Sequence, residues 1–160
     1  MRKAILFGLA LLAAPLAAKD SLGVFGEWAA FRDSSVPRCY AIAMPRTSRA
    51  AHDYQAFATI GTWPKRAVRG QVHFRLSRKI AQNAAIALSV GGTRFALTGG
   101  GGDAWAHDKA MDAAIVAGMR SARSMTVSSR DARGRLFSDT YTLEGAATAM
   151  DAATVGCARR

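Results

Sequence analysis

Residues 71–78 alternate apolar and polar side chains without a break: Val72, Phe74 and Leu76 share one face, and Gln71, His73, Arg75 and Ser77 share the other. A period of two is the period of a β-strand, so this segment predicts a strand with one buried face and one wet face. Residues 84–90 repeat the pattern with Ile86, Leu88 and Val90. Gly91-Gly92 then offers a two-residue turn that accepts positive φ, and residues 93–98 return as the second arm of a hairpin.

Strand signals dominate the rest of the chain. Residues 23–32 carry Val24, Phe25, Trp28 and Phe31 and read as a first strand bent at Gly26. Residues 33–37 have turn chemistry. Residues 38–44 set Tyr40, Ile42 and Met44 against Cys39, Ala41 and Ala43, and after a polar loop residues 54–63 form another strand, stopped by Pro64. The glycines at 99–102 read as a flexible loop, and no Lys-Ser/Thr follows them as a phosphate-binding loop requires.

The period then changes to 3.6. Asp108 is a natural N-cap, and Met111, Ala114, Ile115, Gly118, Met119 and Ala122 recur on one helical face, with Lys109, Asp112 and Arg120 away from it. Strands return at residues 124–130 and 135–143, joined by a turn at 132–134; Phe137, Tyr141 and Leu143 share a face with Asp139. Residues 145–155 are Ala-rich and read as a C-terminal helix that carries Cys157. The expected fold is mainly β (a β-rich α+β chain). It is an antiparallel β-sandwich or open barrel of about eight or nine strands, with a central helix and a C-terminal helix.

Residues 1–18 are set apart from this fold. Arg2 and Lys3 precede an uncharged apolar run at 4–14, Pro15 breaks it, and Leu16-Ala17-Ala18 offers a small residue for cleavage before Lys19. That is the pattern of a bacterial-type signal peptide, and the run is shorter than the roughly 20 residues that span a bilayer. The expectation is a signal peptide at 1–18, a single β-rich domain at 19–160 and a periplasmic or secreted location, with no transmembrane segment in the mature chain. Cys39 and Cys157 are the chain's two cysteines. Export into an oxidising compartment predicts a Cys39–Cys157 disulfide, with two separate buried thiols as the alternative.

Several separated features share an order with one known family. Phe25-Gly26-Glu27-Trp28 follows the leader, and Cys39 opens the next strand. Met119-Arg120-Ser121-Ala122-Arg123-Ser124-Met125-Thr126-Val127 closes the central helix, Tyr141-Thr142-Leu143-Glu144-Gly145-Ala146-Ala147-Thr148-Ala149 precedes the last helix, and Cys157 lies near the end. In this the chain resembles the invasion-associated locus B family of alphaproteobacterial envelope proteins, over most of its mature length. The resemblance implies an exported β-rich protein, linked in some pathogens to host-cell invasion and virulence, with no catalytic residues to carry over. A further cysteine pair, common in that family before the central helix, is absent: the stretch reads Asp103-Ala104-Trp105-Ala106-His107-Asp108. Either Trp105 fills the place of that bridge or the chain is a divergent member.

No constellation spells out a reaction. His52, His73 and His107 are far apart and lack the spacing of metal ligands. No Ser sits in a Gly-x-Ser-x-Gly elbow, bridged cysteines are not nucleophiles, and no close carboxylate pair suits glycoside hydrolysis. No catalytic, metal-binding or cofactor-binding residue is assigned, and no cofactor is expected. A hydrolase built from distant residues stays as a third reading.

Charge is the remaining clue. The chain carries 22 Lys+Arg against 11 Asp+Glu, a formal net charge of +11. Loss of Arg2 and Lys3 with the leader brings it to about +9. Basic residues cluster at Arg46/Arg49, Lys65/Arg66/Arg69, Arg75/Arg78/Lys79, Arg120/Arg123, Arg130/Arg133/Arg135 and Arg159/Arg160. Arg forks suit phosphate and carboxylate groups, so Lys65, Arg66, Arg69, Arg75, Arg78 and Lys79 form a candidate patch for anionic envelope or host-surface components. A solvated surface with no partner is the plain alternative. Nucleic acid is not expected as a partner, since an exported protein rarely meets it. The main expectation is a non-enzymatic exported protein of the locus B type acting through surface interactions. The second is a small cationic periplasmic binding or inhibitor module for an anionic ligand.

Overall fold

The alternating segments become strands of one antiparallel sheet in a computed structural model, which describes residues 19–46 and 52–158. The expected signal peptide, Arg49, Arg159 and Arg160 lie outside the described residues. In chain order the elements are β1 (Asp20–Phe25), β2 (Trp28–Asp33), β3 (Arg38–Ala43), β4 (Phe57–Trp63), β5 (Val68–Arg75), β6 (Ile86–Val90), β7 (Thr93–Gly100) and β8 (Asp103–Trp105). Then come α1 (Lys109–Ser121), β9 (Ser124–Arg130), β10 (Leu136–Thr142) and α2 (Ala146–Ala158). The sheet order is β1-β2-β3-β4-β5-β8-β7-β6-β9-β10, ten strands in an open sheet that does not close into a barrel. The mainly β, antiparallel reading holds.

Two glycine-containing segments account for the strands beyond the expected count. The expected bent strand at 23–32 is a hairpin, because Gly26 (φ 55°) turns the chain and pairs Phe25 with Trp28. The expected glycine loop is also a hairpin. β7 runs through Gly99 and Gly100, turns at Gly101 (φ 64°) and returns as β8. The Asp103 carbonyl occupies the space a Cβ on Gly99 would need, so glycine there lets β7 and β8 approach. The expected third strand starts at Phe57 rather than Tyr54.

The sheet curls until its two ends meet over one core. The Trp28 indole on β2 donates to the Thr142 carbonyl on β10 at 2.9 Å, and the Phe74 ring of β5 lies 5.9 Å from the Tyr141 ring of β10. Trp28, Phe74, Leu76, Leu88, Val127 and Tyr141 are all fully buried. Helix α2 packs on β1–β3, and its buried Ala146, Ala149 and Ala153 belong to the same core as the small side chains Ala30, Cys39 and Ala41 of β2 and β3. Its far end carries the Cys39–Cys157 disulfide, 118 residues apart in sequence.

Helix α1 starts as expected: the Asp108 carboxylate accepts the Met111 N–H at 2.7 Å. Ile115 and Met119 point into the core. Asp112, expected to face away, instead accepts the Val72 N–H at 2.8 Å. β8 pairs β5 only at residues 73–75, so Asp112 takes the next strand position's donor. Burial raises the Asp112 pKa against that hydrogen bond.

Candidate functional site

β5 is eight residues long, so at about 3.3 Å per residue roughly 23 Å separates its ends. That length divides the candidate patch. Lys65 and Arg66 sit in the 3-10 turn Pro64–Arg66 and Arg69 at the start of β5, near the disulfide end. Arg75, Arg78 and Lys79 lie at or beyond the other end.

There the chain meets the β9–β10 hairpin. The Ala81 N–H donates to the Arg130 carbonyl at 3.0 Å, the Ala132 N–H donates to the Lys79 carbonyl at 3.0 Å, and Ile80 bridges Asp131. Arg78, Lys79, Arg133 and Arg135 thereby line one cleft of about 410 Å³, with Asp53, Tyr54 and Asp131. Four cations from two distant segments face two carboxylates.

Asp131 organises the cleft from beneath. It is buried, and it accepts the Arg133 N–H at 2.9 Å, the Arg135 N–H at 3.0 Å and the Arg135 guanidinium at 3.0 Å. Arg78 donates to it as well, at 3.1 Å. Burial works against its charge, but the Arg135 and Arg133 donors outweigh burial and bring its pKa down to about 2. Asp131 is therefore a fixed anion that holds two guanidinium groups in place. Lys79 and Arg133 have no carboxylate partner for their side chains among the described residues.

Tyr54 forms the cleft wall towards the sheet. The Arg75 guanidinium stacks 3.9 Å from the centre of its ring, and Gly102 lies against the ring, where a Cβ would collide with it. Arg75 and His73 both bond Asp103, His73 at 3.0 Å. Thus Arg75, placed in the candidate patch, is engaged with Asp103 and Tyr54, while Arg133 and Arg135 complete the cleft. The sequence showed Arg130/Arg133/Arg135 as a cluster; the turn acid Asp131 was the missed signal that fixes it.

On the other side of residues 53–54 a cavity of about 490 Å³ is lined by Arg46, His52, Asp53, Tyr54 and Asp139 among others. Asp139 is buried and accepts the Ser77 N–H at 2.8 Å. Beyond it the Tyr141 hydroxyl is buried without a hydrogen-bond partner among the described residues, and burial plus the nearby Asp139 push its pKa above the usual phenol range. Among the described residues no three His, Cys, Asp or Glu converge as a metal site, and no helix is long and apolar enough to cross a membrane. Comparison with protein-family models, curated proteins and solved structures finds no match to this chain, so the site stands on its own residues.

Proposed function

We propose that the chain is a small exported binding protein for a phosphate- or carboxylate-bearing ligand of the cell envelope or a host surface. Its site is the cleft of Arg78, Lys79, Arg133 and Arg135. The observation that carries this reading is the convergence of cations from two chain segments over one buried, ionised Asp131. Guanidinium groups held in fixed orientation meet an oxyanion with little loss of side-chain freedom. The Cys39–Cys157 bridge supports a periplasmic or secreted setting, because such bridges persist in oxidising compartments. The likeness to the invasion-associated locus B family supports the same setting, with surface interaction rather than catalysis as the role.

Calorimetric titration with inorganic pyrophosphate tests the cleft. Arg133→Gln/Arg135→Gln is expected to weaken binding about tenfold or more, while Lys65→Gln/Arg66→Gln leaves it nearly unchanged. Binding of the unmodified chain should also fall between about 50 and 300 mM salt. Equal losses in both variants, or no binding at low salt, would contradict the reading. A second reading, a hydrolase, rests on the cavity where His52, Asp53 and Asp139 line the same space. Under it, Asp139→Asn abolishes a hydrolytic activity detectable on envelope extracts.

A further inference from the structure

The outer face of the sheet beside the cleft carries an ordered grid of side chains. Strand registry sets two rows across four strands. One row is Thr59, His73, Trp105 and Thr98; the next is Phe57, Arg75, Asp103 and Gly100. Alternation points both rows outward, away from Phe74 and Ala104, which are buried. His73 stacks on Trp105 with ring centres 4.9 Å apart, and Phe57 meets His73 edge-on at 5.7 Å. This stack holds the indole in place, and Trp105 is nonetheless 38% exposed. Next to it Gly100 has no side chain, and a Cβ there would meet nothing within 4 Å. The result is a supported aromatic platform with an open shelf at its side.

The neighbours of the platform are polar. Beside the indole stand Asp103, His73 and Thr98, a carboxylate, an imidazole and a hydroxyl that donates to the Trp105 carbonyl at 3.5 Å, and Thr59 lies one strand farther, beyond His73. A flat apolar surface rimmed by hydrogen-bonding groups matches a sugar ring, which has a C–H face and a rim of hydroxyls. The electron-rich face of an indole attracts such weakly positive C–H groups. An extended peptide is a poorer fit, because β8 is paired on both sides, by β5 and β7, and offers no open ladder edge.

The platform runs into the cationic cleft. Asp103 joins His73 to Arg75, Arg75 stacks on Tyr54, and Tyr54 lines the cleft with Arg78 and Arg135. His73 and Arg78 are five residues apart, no more than about 18 Å of extended chain. That span suits a short oligosaccharide with acidic groups better than a lone phosphate.

We propose that the ligand is an acidic glycan, with one sugar ring resting on Trp105 and an anionic group farther along held by Arg78, Arg133 and Arg135. This rests on the cleft being the anion site, and it adds the chemical class of what is bound.

Calorimetry with a polygalacturonate oligosaccharide, inorganic pyrophosphate and a single-stranded oligonucleotide of similar length separates the two claims. Trp105→Ala is expected to weaken the acidic oligosaccharide about tenfold and leave pyrophosphate unchanged. Trp105→Phe should recover most of the loss, and Arg133→Gln/Arg135→Gln should weaken both ligands. Far-UV circular dichroism checks that each variant stays folded, as the surface position of Trp105 predicts. If pyrophosphate binds but Trp105→Ala leaves the oligosaccharide unaffected, the glycan inference falls and the anion site stands. If pyrophosphate does not bind, the anion site itself falls, and the inference with it. Tighter binding of the oligonucleotide than of the oligosaccharide, with loss in Trp105→Ala, would overturn the glycan in favour of base stacking.

Discussion

Asp131 is the residue through which local chemistry becomes a site. A short polar turn ordinarily presents its side chains to water, yet here the turn acid is buried and surrounded by donors from Arg78, Arg133 and Arg135. Its folded pKa of about 2 lies below the roughly 3.9 of a free aspartate. The ionised form therefore stabilises the fold fully above about pH 4, and that contribution disappears as pH falls towards 2. Asp131→Asn is expected to lower the urea midpoint at neutral pH. The gap to the unmodified chain should hold down to about pH 4 and close below it; a gap that persists to pH 2 would show that the charge of Asp131 is not what matters. Residue-level chemistry was only partly legible in the sequence. His73 and Arg75 were readable as outward-facing from alternation alone, but their shared partner Asp103 lies 28 residues beyond Arg75. Nothing local announces such a contact.

At the scale of elements, periodicity carried far. The Gly91-Gly92 hairpin, the Asp108 cap and the Ala-rich last helix appear where the pattern placed them, and the strand expected at 71–78 appears as β5 but ends at Arg75, with Ser77, expected on the wet face, buried. The two unexpected hairpins have one cause. Glycine is compatible both with a loop and with a strand whose neighbour comes unusually close, and only the neighbour decides. Gly99 belongs to a strand because the Asp103 carbonyl presses on it; Gly26 (φ 55°) turns a hairpin where the Glu144 carbonyl lies against it. The disulfide was legible from compartment logic, and it ties α2 to β3 as the places of Cys39 and Cys157 in the expected strand and Ala-rich helix implied. Alanine side chains bury little area each, so the bridge stands in for packing. Closing a loop of 118 residues contributes up to about 5 kcal/mol by chain entropy. The Cys39→Ala/Cys157→Ala variant is expected to unfold at a markedly lower temperature, read by circular dichroism. An unchanged midpoint would mean that α2 docks without the bridge.

At the scale of the whole molecule, sheet order decides which charges act together. Sequence clusters of Lys and Arg suggested one patch along β5, but strand length separates its ends. The return of the β9–β10 hairpin to residues 79–81 then recruits Arg133 and Arg135 to one of those ends. Placing β8 between β5 and β7 brings Trp105 onto the same outer face. Neither event follows from alternation, since a strand's pattern shows which face is buried and not which strand lies beside it. The proposed function therefore rests on topology more than on any motif. Amide chemical-shift mapping by NMR, with pyrophosphate added to the folded, disulfide-bonded chain, tests this most directly. Shifts are predicted to concentrate at Tyr54, Arg78, Lys79 and 131–135, fading as salt is raised. Shifts centred on Lys65, Arg66 and Arg69, or spread evenly over every basic residue, would contradict the account.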